Sequence, residues 1–226
     1  MKQPKWRELL DELRTVFAGR NSFLDAILPP IIFLVINGLV GFQAAMWSAL
    51  AVSVTFAVVR LSRKQSLVYA LAGVGSVAVA IGIAWLLGQS EGFFLPGLVS
   101  GSMTLLLTIV SLLIRRPMVA WASYIARRWP LDWYWHPQVR PAYSGVTFAW
   151  ALFFAARLLL QFSLFENKDV NLLAVTNFFT GWPATILLLI LSYLYGTWRL
   201  AQLRGPSVEE FQANMPAPWQ GQQRGF

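Results

Sequence analysis

The arrangement of charge most constrains what this chain can fold into. Stretches of about twenty residues run almost without a charged side chain, and the charges gather in the gaps between them. A hydrocarbon core of about 30 Å is crossed by roughly 20 helical residues. Lipid offers no partners for backbone polar groups, so such stretches must be helical. Six spans are predicted, at residues 22–42, 44–60, 66–88, 94–114, 144–164 and 176–198. Of the 226 residues, 57% are hydrophobic and only 12% charged, against about 25% charged in soluble domains. That excludes a soluble enzyme, a disordered regulator and a secreted module. The expected fold class is all-α: a polytopic membrane protein with six transmembrane helices and an N-terminal amphipathic interfacial helix.

The interfacial helix is read in residues 1–20. Trp6, Leu9, Leu10, Leu13, Val16 and Phe17 recur at helical spacing, with Lys5, Glu8, Glu12 and Arg14 elsewhere. Such a helix lies in the headgroup plane, and it lacks the pattern of a cleavable signal. A short apolar stretch, residues 118–126, is expected along the interface too. The domains are then the helix 1–20, a membrane domain 21–204 with a loop 115–143, and a flexible tail 205–226. Within the tail, Ser207 and Glu210 form a capping-box pattern for one short helix. Pro216, Pro218, Gln220, Gly221, Gln222 and Gln223 follow it.

Net charge is +8. Lys2, Lys5, Arg7, Arg14 and Arg20 precede the first span, and Arg60, Arg63 and Lys64 join the second to the third. Arg115, Arg116, Arg127, Arg128 and Arg140 join the fourth to the fifth, and Arg199, Arg204 and Arg224 follow the sixth. Sixteen of the 18 basic residues thus fall on one side, with Lys168 opposite and Arg157 inside the fifth span. The asymmetry predicts that both termini and the 115–143 loop are cytoplasmic. The expected partners are the bilayer, anionic lipid headgroups on the cytoplasmic side and other membrane subunits, not nucleic acid. Trp129, Trp133, Tyr134, Trp135, Tyr143 and Trp198 fit an aromatic belt.

The candidate sites are few. There is no cysteine and one histidine, so disulfides and thiolate metal sites are excluded. No carboxylate pair, nucleophile elbow or phosphate loop points to catalysis; no enzyme, resident cofactor or metal is expected. Ser22 and Asp25 open the first span as a cap, and Pro29 and Pro30 deny backbone donors one turn later. Asp25 is then a cap on a bent helix, or part of a broken-helix ion site. Leu95-Pro96-Gly97 repeats the Leu-Pro opening from the other face, which a three-plus-three inverted repeat would produce. Pro96 and Gly97 are a second candidate break, and Gly97 with Gly101 forms a GxxxG packing pattern.

Arg157 is costly inside a span, so it needs polar company or a route to the headgroups. At about 1.5 Å per residue it lies roughly 10 Å from the outer end of its span, with Asn37 at a similar depth and Asp25 about 12 Å nearer the cytoplasm. Asn37, Gln161 or the Glu166 loop are its expected partners. The candidate intramembrane polar site is therefore Asp25, Asn37, Arg157 and Gln161, either structural or an anion or gating site. His136, amid Trp133-Tyr134-Trp135 and Pro137, is a possible haem or chlorin ligand, and otherwise simply interfacial.

Phe93-Phe94-Leu95-Pro96-Gly97-Leu98, then Ile109-Val110-Ser111-Leu112-Leu113-Ile114-Arg115-Arg116-Pro117, form a recognisable pattern. Leu24-Asp25-Ala26-Ile27-Leu28-Pro29, Arg140, Ala142-Tyr143, Arg157-Leu158 and Gln161 belong to it. With these residues, positions 20 to 200 resemble an uncharacterised bacterial family of multipass inner-membrane proteins, known as a domain of unknown function. The first four spans are distantly similar to the intracellular septation protein A family, through Leu-Asp-x-x-x-Pro and Val-Ser followed by a basic pair and Pro. The 115–143 loop, two more spans and the tail depart from that second family. The resemblance implies the bacterial inner membrane and carries over no catalytic residue.

Three functions follow as expectations. The first is a non-enzymatic scaffold or accessory subunit of a membrane or cell-envelope complex. The second is a small solute or ion transporter component with a broken first helix. The third is a pigment- or haem-associated subunit of a bioenergetic complex.

Overall fold

The structure, a computed structural model, describes residues 32, 35–62, 67–87, 90–222 and 225–226. The helix expected at 1–20, most of the first expected span, and with them Asp25, Pro29 and Pro30, lie outside the described residues.

Among the described residues there are nine α-helices, one 3-10 helix and no strand. They are α1 (Phe42–Ser62), α2 (Leu67–Leu87), the 3-10 helix (Ser90–Phe94), α3 (Leu95–Leu113), α4 (Met118–Arg127), α5 (Leu131–Trp135), α6 (Arg140–Glu166), α7 (Val170–Thr180), α8 (Trp182–Leu203) and α9 (Val208–Gln212). A helical turn at 35–39 precedes α1, and Gly41, at φ 106°, separates the two. That backbone conformation is open to glycine and strained for other residues.

By length and composition four stretches can cross a membrane: Phe42–Ser62, Glu91–Leu113, Arg140–Glu166 and Val170–Leu203. Leu71–Leu87, inside α2, is a shorter apolar helix. Large apolar side chains lie bare along these helices, among them Leu86 at 85%, Trp85 at 80% and Leu159 at 72% exposed. A bilayer accounts for such surfaces where water does not.

The last expected span, 176–198, is not one helix in the structure. Gly181 caps α7 with φ −77° and ψ −120°, outside the helical region. A Cβ there would meet the Asn177 carbonyl oxygen at 2.7 Å. Pro183, in the first turn of α8, also lacks the N–H that would carry a helix through. The 11 residues of α7 rise roughly 16 Å and the 22 of α8 roughly 33 Å, so α8 alone has the length of a span. The fifth expected span, 144–164, extends to Arg140–Glu166, because Pro141 suits a first helical turn.

The chain divides into two compact units. The first comprises residues up to Val99 with Leu160–Pro183; the second comprises Ser100–Leu159 with Ala184–Phe226. In the first, Ala45, Ala49 and Ala174 are buried against Ile36, Phe42, Phe93 and Phe94. Phe42 and Phe93 meet edge to face at 6.4 Å, and Phe93 and Phe94 at 5.3 Å. Gly92 backs onto α2, where a Cβ would lie 3.0 Å from the Ala84 Cα.

In the second unit the core is Ala120, Trp133, Tyr134, Val139, Ala142, Tyr143, Val146, Leu200, Val208 and Phe226. Helix α4 starts at Pro117, which offers no side-chain cap. Its first N–H groups are taken by hydroxyls from other helices: Met118 N–H donates to Ser111 Oγ at 3.0 Å, and Val119 N–H to Thr147 Oγ1 at 3.3 Å. The caps that local sequence leaves out are thus supplied by α3 and α6.

Candidate functional site

Polar side chains on the apolar helices of the first unit meet as amide pairs. Asn37 Nδ2 donates to Asn171 Oδ1, and Gln161 Nε2 donates to Asn177 Oδ1. Gln161 is buried, Asn37 and Asn177 are half-buried and Asn171 is exposed. Asn171 and Asn177 both stand on α7, so this short helix is held at two positions by different partners. In hydrocarbon, a polar pair of this kind averages about 0.6 kcal/mol and reaches roughly 2. Asp169 caps the same helix, its Oδ1 accepting from Leu172 N–H at 2.9 Å.

Arg157 belongs to the second unit and is half-buried. Within that unit the described residues give its guanidinium no hydrogen bond or ion pair. Its expected companions Asn37 and Gln161 belong to the first unit, where Asn171 and Asn177 pair with them. Asn171 and Asn177 are absent from the sequence-based candidates. Their signal was present: they are the two amides of an otherwise apolar segment, and amides there must find partners.

The other candidates fall at helix starts and packing points. Pro96 and Gly97 sit in the first turn of α3, directly after the 3-10 helix, where a missing N–H costs little. Gly101 faces Leu158 of α6, with a Cβ position 3.6 Å from its Cδ1.

A second assembly is built from the 115–143 loop and the tail, both in the second unit. Trp133 stands 5.1 Å from Tyr134 and 6.1 Å from Tyr143, and Tyr134 stands 5.1 Å from Tyr143, each pair edge to face. Phe226 stacks on Tyr143 at 4.3 Å and 16°. A Cβ on Gly196 would come within 2.3 Å of the Phe226 ring, so the ring lies flat on bare backbone of α8. Trp133 Nε1–H donates to the Pro206 carbonyl at 2.9 Å, and Gly205 fits against the Gln138 backbone. The capping box expected at Ser207 and Glu210 is formed. Glu210 also accepts from Gln220 N–H at 2.7 Å. These backbone bonds, led by Gln220, hold its carboxyl below the ordinary range. The segment read as a flexible tail thus has both ends placed on the aromatic core.

His136 takes part in this closure. Its Nδ1 accepts from Gln138 N–H at 3.3 Å, and Trp219 and Phe211 lie 5.4 and 6.3 Å from its ring, edge to face. Burial against them lowers its pKa from the usual value. Burial raises the Tyr134 hydroxyl, partly offset by its bond with Ser123 and by Arg127. Among the described residues no group of three or more His, Asp or Glu could hold a metal ion.

A family described as Protein of unknown function (DUF3159) matches residues 17–200. The chain belongs to the DUF3159 family. The match takes in both amide pairs and the aromatic loop, and stops short of the tail that packs on it. No curated protein and no solved structure is significantly similar to the chain.

Proposed function

We propose that this DUF3159 protein is a non-enzymatic integral membrane protein, a scaffold or accessory subunit of a membrane or cell-envelope complex. In this reading it sits in a bacterial inner membrane with six spans and both termini cytoplasmic. One observation carries the reading: the 115–143 loop and the 205–226 tail close into an aromatic assembly at the ends of apolar helices. Its polar groups, such as Trp133 Nε1 and the Glu210 carboxylate, are spent on holding loops in place rather than aimed at a reacting centre. The rings are themselves buried; in this reading they fix the shape of the loop and tail, and the surface held in place around them meets a partner protein. Purification in mild detergent tests it: wild type retains a stoichiometric membrane partner, and a Trp133→Ala chain loses it. Wild type recovered alone from native membranes, under cross-linking as well, overturns the reading.

The amide pairs and the break at Gly181 favour a second reading, a transporter component. Helices broken within apolar segments expose backbone groups that bind ions or polar solutes. Flux into proteoliposomes, lost in Asn177→Leu but kept in Phe226→Ala, would establish it over the first.

A further inference from the structure

Helix α4 packs one face, with Ala120, Val119 and Tyr124, against the core of its unit and leaves an apolar face bare. Toward the interior of its unit lie Ala120, which is fully buried, and Ser123, whose Oγ is 3.2 Å from the Tyr134 hydroxyl. The outward face presents Trp121, Ala122 and Ile125, with Ile125 67% exposed. Leu113 and Ile114, at the end of the spanning helix α3, are bare as well. Ten residues rise only about 15 Å and cannot cross a bilayer. An outward apolar stripe on such a helix, one loop away from a span, fits the headgroup boundary.

Arginines stand at both ends of that stripe. Arg115 and Arg116 precede α4, and Arg127 and Arg128 end it. The Arg116 guanidinium lies 4.4 Å from the Trp135 ring centroid, and Trp135 lies 5.7 Å from Trp121. Arg127 lies 4.7 Å over Trp129. These cation–π contacts fix charge at the level of indoles, which themselves favour the interface. Arg115 and Arg128 are exposed and occupy left-handed backbone, both at φ 58°. Glycine takes that helix-ending conformation more readily than arginine. The second unit holds Asp132, Glu209 and Glu210 against eight described arginines, and Glu210 is bonded to Ser207 and Gln220. Three carboxylates are too few to neutralise eight arginines.

The geometry points to anionic-phospholipid binding along α4, in which a headgroup phosphate lies at the arginine pair on either end of the helix, Arg115 with Arg116 or Arg127 with Arg128, and the acyl chains lie beside Trp121 and Ile125. The site rests on the membrane reading above and adds selectivity for one class of lipid. The full chain, reconstituted in nanodiscs of equimolar phosphatidylcholine and phosphatidylglycerol, provides the test. Lipids still bound after transfer to mild detergent are counted by native mass spectrometry. Wild type should retain phosphatidylglycerol in excess. The double variant Arg115→Gly, Arg128→Gly should lose that excess by about five-fold per arginine removed. Its melting temperature should not fall, because glycine relieves the left-handed backbone. A fluorophore on Ile125→Cys, the sole cysteine in a chain that has none, should be quenched by brominated acyl chains. Unchanged enrichment in the double variant, or an unquenched label, overturns the site. So does inorganic phosphate displacing the lipid at millimolar concentration, since the anion alone would then suffice. Insertion of wild type into pure phosphatidylcholine nanodiscs preserves the membrane reading whichever way the selectivity falls, and failure to insert there overturns that reading instead.

Discussion

In the first unit most of the buried side chains are small, among them Ala45, Ala49, Ala80, Ala84 and Ala174, with Met46, Leu98 and Leu173 the larger ones, and the amide pairs join distant elements. In the second, Trp133, Tyr134, Tyr143 and Phe226 fill the centre, and the long-range bonds fasten loop and tail. Small residues let apolar helices approach closely in lipid, where apolar burial gives no drive and packing and polar pairs do the holding. Large aromatics suit the region where helices end and water begins, because there burial of a ring again stabilises. The two buried clusters thus suit two solvents, although both units carry apolar helices of span length.

The largest expected effect is on the aromatic side. Trp133→Ala removes a fully buried ring and the donor to Pro206, and should cost about 3–5 kcal/mol. Thermal or denaturant unfolding in detergent measures it; a loss under about 1 kcal/mol would mean that the ring cluster contributes little.

Gly196→Ala comes next. The new methyl takes the place of the Phe226 ring, so the ring must leave Tyr143, at about 1–3 kcal/mol. Limited proteolysis should cut the tail faster in this variant, and Phe226→Ala should look the same. Tail protection unchanged in both would separate the tail from the aromatic core.

The amide side should respond differently. Asn177→Leu alone leaves buried Gln161 without its acceptor and should cost about 1 kcal/mol. The double variant Gln161→Leu, Asn177→Leu should recover most of that loss, since neither group then needs a partner in hydrocarbon. A double variant as unstable as the sum of the singles would show that the pair does not hold α7.

His136 gives the smallest effect. Its pKa is lowered by burial from 6.5, so the folded state favours the neutral ring. The contribution is present above pH 6.5 and is lost as pH falls below it toward the lowered value. Tail proteolysis should therefore quicken under mild acid, and His136→Phe should abolish that dependence. Glu210, also lowered, responds only in stronger acid, below its ordinary 4.5. A pH response that survives His136→Phe assigns the effect elsewhere.

Local chemistry made much of the architecture legible in the sequence. Apolar runs near span length and Ser207 with Glu210 each act within a turn or a bilayer thickness; helices cover 44–60 and 144–164, and most of 66–88 and 94–114, and the capping box forms, while most of 22–42 lies outside the described residues and 176–198 is broken. The same local chemistry held the break at Gly181, in Thr180-Gly181-Trp182-Pro183, which the unbroken run of hydropathy across 176–198 obscured. What only the tertiary structure decided is which distant groups meet: Asn171 with Asn37, Asn177 with Gln161, Ser111 and Thr147 on the start of α4, and Phe226 on Gly196. Hydropathy reports how badly a segment fits water, and capping reports one helix end. Neither carries the long-range closure that brings an amide on one helix to an amide on another, so those partners exist only once the chain has folded.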